Sequence, residues 1–235
     1  AGKMLEEVHN KLADFIKPGI STLEIDQFGE KAIRDLGCVP NFLNYNGYPA
    51  SICVSVNDEV VHGIPRKDRI LQDGDIVSLD AGLIHEGYHS DAARTHAVGN
   101  ISEEAKRLIE VTKQSFFEGI KLAVPGNHLF DISEAIQKYV ESNGYSVVRD
   151  LVGHGIGTHL HEDPQIPNFK QRRKGMKLRP GMTLAIEPMV NEGSYDVVWL
   201  DDDWTVVTED GSLAAHYENT IVITEDGCEI LTLSE

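Results

Sequence analysis

Residues 16–37 read IKPGISTLEIDQFGEKAIRDLG, and 107 positions later residues 123–144 read AVPGNHLFDISEAIQKYVESNG. Laid side by side without gaps, they match Pro18 with Pro125, Gly19 with Gly126, Glu24 with Asp131, Ile25 with Ile132, Lys31 with Lys138 and Gly37 with Gly144. Pro-Gly and a closing Gly are common punctuation, but the register held between them marks an internal duplication. Each copy reads as an amphipathic helix (about 2–16; about 102–123), a Pro-Gly break, a second helix and a glycine stop ahead of a strand.

Strand patterns follow each helix pair. ASICVSVN, DIVSLDAGLI and YHSDAARTHAV come after the first; YSVVRDLVG, MTLAIEPMVN, WTVVTED, AAHYENTIVIT and CEILTLS come after the second. Turns at Glu86-Gly87 and Asp226-Gly227 favour antiparallel hairpins. The expected architecture is α+β: a mostly antiparallel sheet with four helices packed on one side in two related pairs. With 235 residues, 41% of them hydrophobic, the chain is able to bury a sizeable core as one domain, its halves about 1–100 and 101–235.

Charge narrows the partners. Lys and Arg number 21 against 38 acids, a net −17, and a surface that reads phosphate needs clustered basic residues. Direct binding to nucleic acid or an anionic membrane is therefore not expected, and the one dense basic run, KQRRKGMK at 170–177, reads as a solvated loop. Cys38, Cys53 and Cys228 are odd in number and lack zinc-type spacing, which fits free thiols in a reducing compartment. No apolar run approaches the ~20 residues that cross a bilayer, so the cytoplasm is the expected location. The chain opens at Ala1 already inside a helical pattern, as a trimmed N-terminus would.

The chemistry begins at residues 77–95, VSLDAGLIHEGYHSDAART, where Asp80 and Asp91 interrupt two apolar strands. Glu187 in TLAIEPM, Glu218 in HYENTIVI and His154 in VGHGIG complete a short set of polar residues embedded in apolar patterns. Any one of them alone would read as a paired or edge residue. If four carboxylates converged, each pair at 4 Å would cost about 4 kcal/mol at an effective dielectric near 20. Two divalent cations offset the four charges, and Gly153 and Gly155 let the backbone come close while the imidazole points at a ligand.

LDAG…SDAART, GHGIGTHLHEDP, AIEPMV and HYENT, together with NGYPASICVSVNDEVVHGIP, resemble the type I methionine aminopeptidases over almost the whole chain. The resemblance implies the pita-bread fold, whose pseudo-twofold symmetry agrees with the duplication, and a single catalytic domain over 1–235. It also implies removal of the initiator methionine from the N-termini of nascent proteins and peptides by two divalent metals, Mn, Fe(II), Co or Zn, whose identity is not readable.

By that resemblance Asp91 and Glu218 bridge the metals, Asp80 completes one shell, and His154 and Glu187 complete the other. Glu187 shuttles the proton to the leaving amine, His161 binds the substrate carbonyl, and His62 contacts the scissile peptide. Tyr48, Cys53 and Trp204 match positions of the methionine pocket, and Leu160 stands where relatives often have an aromatic residue. Phe42 stands near where some relatives have a smaller one. His159 lies two positions from His161 and so faces the other way in extended backbone; it is left out of the site.

Two other readings compete. An Xaa-Pro aminopeptidase or prolidase shares fold and ligands but generally carries an additional N-terminal domain, and YEN around Glu218 favours the methionine enzymes. A metal-free pita-bread binding module would be favoured by loss of a ligand, and all five stand. Only 31 residues separate Glu187 from Glu218, leaving no room for the type II insertion. A monomer is expected, and with no zinc-ribbon extension any ribosome association is expected to be weak.

Overall fold

A computed structural model describes residues 1–234. The first half holds α1 (Gly2–Phe15), α2 (Thr22–Asp35), β1 (Val39–Pro40), β2 (Ile52–Val56), β3 (Glu59–Val61), β4 (Ile76–His85) and β5 (Tyr88–Ala97). The second holds α3 (Glu103–Ile120), α4 (Leu129–Ser142), β6 (Ser146–Val147), β7 (Gly153–Gly155), β8 (Glu162–Ile166) and β9 (Thr183–Ile186). It continues with β10 (Met189–Asn191), β11 (Val197–Trp199), β12 (Val206–Thr208), β13 (Ala214–His216), β14 (Glu218–Ile223) and β15 (Cys228–Ile230).

The duplication is carried into the hydrogen bonding at the same offset. Gly19 N–H donates to Leu71 O (2.8 Å) and Gly126 N–H to Leu178 O (3.1 Å); Thr22 N–H donates to Arg69 O and Leu129 N–H to Met176 O, both at 2.9 Å. Ser21 bridges Ile70, and its counterpart His128 bridges Lys177. Both second helices open on a capping box, Ser21 with Glu24 and His128 with Asp131. Both end on a left-handed glycine, Gly37 (φ 72°) and Gly144 (φ 87°), after which Cys38 N–H and Tyr145 N–H reach back to Ile33 O and Val140 O. β4 and β9 begin 107 residues apart, so Asp80 and Glu187 occupy equivalent places.

The main sheet runs β1-β4-β5-β14-β9-β7-β8, with β2 on β4 and β15 on β14, and every pairing in it is antiparallel. Two three-stranded sheets, β13-β10-β6 and β11-β12-β3, complete the β structure of the described residues. Strand alternation then sorts the two faces. Val77, Leu79, Ala81 and Leu83 of β4 pack with Leu5, Val8 and Leu12 of α1 and Ile25 and Ile33 of α2. Leu184, Ile186, Ile221 and Ile223 do the same with Leu108 and Phe116 of α3 and Ile132 and Ile136 of α4. Asp80 alternates to the face away from the helices. The expected α+β, pseudo-twofold architecture is what the chain adopts.

The strands differ from the sequence reading in several places, and β1, β3, β8 and β11 lie outside it altogether. MTLAIEPMVN and AAHYENTIVIT each break in two, at Glu187-Pro188 and at Tyr217, with the pieces in different sheets. Pro188 has no N–H to carry the ladder on, and its carbonyl instead accepts from Tyr217 N–H (3.2 Å), tying the two breaks together. YSVVRDLVG keeps the two residues of β6 and, at its last position, Gly153 of β7. Glu86 (φ 50°) and Gly87 (φ 84°) form the expected two-residue turn, whereas Ile223 pairs Cys228 across a wider loop closed by Thr224 N–H on Gly227 O. The basic 170–177 run is an irregular, largely exposed segment as expected, and no helix of the described residues is long and apolar enough to cross a membrane.

The caps give the first expected outcome. Ser21→Ala removes the hydroxyl that accepts from Glu24 N–H (3.2 Å) and should lower the unfolding free energy by about 1 kcal/mol. Differential scanning calorimetry should read this as a melting point about 2–4 °C lower.

Candidate metal centre

Three adjacent strands set one row of the site. Ala93 on β5 pairs Asp80 of β4 on one side and Glu218 of β14 on the other, and its methyl leaves the space between the two acids open. Asp91 lies two residues along β5 and so on the same face. Its peptide is pinned by Thr220: Asp91 N–H donates to Thr220 Oγ1 (3.0 Å), which donates to Asp91 O (2.9 Å). β9 continues the row, since Ile186 pairs Asn219 and Glu187 follows directly at the strand's end. His154 on β7 pairs Ala185.

His154 is delivered by close backbone contact. A Cβ on Gly153 would stand 2.4 Å from Ala185 O, and one on Gly155 2.3 Å from Asp163 O, so only glycine fits on either side. His154 Nδ1–H donates to Gly155 O (2.8 Å), which leaves the Nε2 lone pair facing Glu187 Oε1 at 3.6 Å and Asp91 Oδ2 at 3.8 Å. Asp91, His154 and Glu218 are all buried and present ligand atoms within 4.8 Å of one another.

The donors fit a cation and little else. Asp80 Oδ1, Asp91 Oδ1 and Glu218 Oε1 are buried without a hydrogen-bond partner among the described residues. Burial pushes the Asp80 carboxyl up to about 7. Asp91, Glu187 and Glu218 go well above the usual carboxylate range, through burial first and then repulsion from one another and from Asp80. Burial, with a smaller push from His161, holds His154 at about 4, so its imidazole stays a neutral donor. One imidazole among carboxylates suits Mn(II), Fe(II), Co(II) or Zn(II).

A cavity of about 160 Å³ opens over this row. All five expected ligands line it, as do Tyr48, Cys53, His62, Leu160, His161 and Trp204, together with Phe42. The Tyr48 ring meets Trp204 edge-on at 5.1 Å, and its hydroxyl donates to Gly63 O (2.9 Å). His62 sits in left-handed backbone (φ 59°) with burial holding it near 4. The His161 ring lies 4.2 Å from that of His154, centroid to centroid. His159 lies outside, its side chain 81% exposed and 3.7 Å from Glu162.

Three residues escaped the sequence reading. Tyr45 and Asn46 line the cavity, and the Tyr45 hydroxyl stands 2.7 Å from His161 Nδ1. They belong to a short turn between Asn44 (φ 66°) and Gly47 (φ 90°), where no periodicity marks a side chain's direction. His216, two residues before Glu218, is buried with Nε2 3.9 Å from Glu187 Oε2.

The model of metallopeptidase family M24 matches residues 1–225. The chain belongs to metallopeptidase family M24. Among its M24 relatives, the methionine aminopeptidase of Clostridium acetobutylicum is 57% identical over 235 residues, which is 100% of this chain and 94% of that protein. The crystal structure of the Thermotoga maritima methionine aminopeptidase superposes with a TM-score of 0.97 at 47% identity, covering 100% of this chain and 94% of that one. The Xaa-Pro dipeptidase of Bacillus anthracis is more distant, with a TM-score of 0.80 and 25% identity, and this chain covers 59% of it.

Two outcomes follow for the M24 centre. With its carboxyl raised to about 7, protonated Asp80 stabilises the metal-free fold fully below about pH 4, and this contribution is lost as pH rises through about 7. Chelator-treated protein should therefore melt lower at pH 8 than at pH 5, and added Mn(II) should raise the melting point more at pH 8. Gly153→Ala should displace β7 and abolish Mn(II) binding by calorimetry, while far-ultraviolet circular dichroism stays near that of the parent.

Proposed function

We propose that this chain is a metal-dependent aminopeptidase that removes methionine from the N-termini of proteins and peptides. The observation that carries the reading is that four carboxylates, the neutral imidazole of His154 and a small apolar pocket surround a single cavity. Asp91 and Glu218 are the proposed shared ligands of two divalent ions, with Asp80 on one and His154 and Glu187 on the other. When bound, the ions supply a deprotonated water at neutral pH and polarise the scissile carbonyl.

The chain's own groups do the remainder. Glu187, partly open to the cavity, carries a proton from the attacking water to the leaving amine. Burial keeps the Tyr45 hydroxyl protonated, so it donates to His161 Nδ1 and leaves Nε2 as the proton-bearing nitrogen. That Nε2–H donates to the substrate carbonyl and to the oxyanion that replaces it, worth a few kcal/mol in the transition state. His62, neutral and fixed in left-handed backbone, contacts the scissile peptide. Tyr48, Cys53, Leu160 and Trp204, with Phe42, form the wall that takes an unbranched thioether side chain.

A larger cleft of about 570 Å³ shares His62, His154, His161 and Glu187 with the cavity and gives the rest of the peptide a path outward. Residues 1–235 act as one catalytic unit whose halves, about 1–100 and 101–235, both contribute to the ligand set, the first with Asp80 and Asp91 and the second with His154, Glu187 and Glu218. Nascent chains in the cytoplasm are the proposed substrates of a monomer. The net −17 supports no more than weak contact with the ribosome's phosphates.

The test strips the protein with chelator, returns Mn(II), and offers Met-Ala-Ser and Ala-Pro-Ala peptides in one tube. Methionine release that needs metal, with the proline peptide intact, is expected. Cleavage of the proline peptide would overturn the substrate, and no cleavage with Mn(II), Fe(II), Co(II) or Zn(II) would overturn the enzyme. Asp91→Asn should lose both Mn(II) binding and turnover.

A further inference from the structure

Glu187 is a ligand without a strand to hold it. It falls in the break between β9 and β10, with Pro188 next in the chain, and Asn168 Nδ2–H on its carbonyl (3.0 Å) fixes only the backbone. Its carboxylate lies between two imidazoles: Oε1 is 3.6 Å from His154 Nε2, and Oε2 is 3.9 Å from His216 Nε2. His216 has no other visible purpose. It is 1% exposed, neither ring nitrogen has a hydrogen-bond partner among the described residues, and such a buried polar ring is costly to keep. Its backbone is locked on both sides by Thr95, whose Oγ1 accepts from His216 N–H and donates to His216 O, each at 2.9 Å. Pairing with Met189 fixes the strand as well, so the ring is held toward the carboxylate.

We propose that His216 is a positioning residue for Glu187: as a neutral imidazole it donates Nε2–H to Oε2 and so turns Oε1 toward His154 and the cation. A shift of about 1 Å brings the pair to hydrogen-bond distance. Partners of this kind fix the orientation of a ligating group and typically change metal affinity by about 10- to 100-fold when lost. The inference rests on the reading of Glu187 as a metal ligand.

Geometry makes the test specific. A glutamine amide nitrogen reaches about where imidazole Nε2 stands, whereas an asparagine nitrogen reaches only the place of Nδ1. Mn(II) affinity of the intact chain is measured by calorimetric titration for His216→Leu, His216→Gln, His216→Asn and Glu187→Gln, beside the melting point of each metal-free form. His216→Leu should bind Mn(II) about 10- to 100-fold more weakly while melting no lower than the parent, because a buried unpaired polar group has gone. His216→Gln should restore affinity and His216→Asn should not. Parental affinity in His216→Leu, or equal rescue by Asn and Gln, would overturn the positioning role while a weakened Glu187→Gln leaves the ligand reading standing. Undiminished binding by Glu187→Gln would overturn both. If His216→Leu does not fold, the comparison of Gln with Asn decides alone. Methionine release by the unaltered chain is scored separately, so the substrate reading fails or stands on its own result.

Discussion

Four carboxylates gathered on one desolvated sheet face cannot all ionise unless something neutralises them, and the rest of the molecule is arranged around that constraint. At about 4 kcal/mol for each like-charged pair at 4 Å, the set is tolerable only protonated or cation-bound. Arg94, behind the row, offsets little of it, its pull being the smallest of the influences on the Glu218 carboxyl. Arg94 donates to the carbonyls of Ala93 and Glu218 and to Asn219 Oδ1, and lies over the Tyr217 ring at 4.6 Å. Its hydrogen bonds hold β5 against β14 by their backbones while leaving the carboxylate oxygens free. The neutralising charge has to come from solution, which ties the stability of the fold to metal supply and pH.

The duplication explains how such a face is assembled. Two helix–helix–sheet units, each unable to cover both faces of its strands, meet along β5 and β14 and present their helix-free faces to a common cavity. Asp80 and Glu187 are counterparts at the 107-residue offset, one from each unit. The flanking strands have diverged: β2, paired to β4, carries Cys53 opposite Asp80 and lines the cavity, whereas β7, paired to β9, carries His154 into the candidate ligand set. A symmetric frame thus yields an asymmetric site, with an apolar wall on one side and a candidate metal ligand on the other.

Much of this was legible because it is local. Pro18-Gly19 and Pro125-Gly126, the glycine stops and the Glu86-Gly87 turn each set backbone dihedrals without help from distant residues. Acids inside apolar runs advertise themselves because an unpartnered buried charge is so costly. What the sequence hid depends on contacts far along the chain. MTLAIEPMVN reads as one strand, yet the break at Glu187 follows from Pro188 and from a carbonyl that Tyr217 claims. Tyr45 reaches His161 across 116 positions, and His216 stands behind Glu187 only because β13 pairs β10.

By itself, then, the sequence determined the repeated unit, the α+β class and a short set of candidate cation ligands, since periodicity, turn chemistry and charge cost are properties of short segments. The tertiary structure alone decided that those residues share one cavity, which oxygen of Glu187 faces His154 and which faces His216, and that the Tyr45 hydroxyl stands against His161 Nδ1. Distance and orientation arise from strand register and packing between units, and no local pattern encodes them.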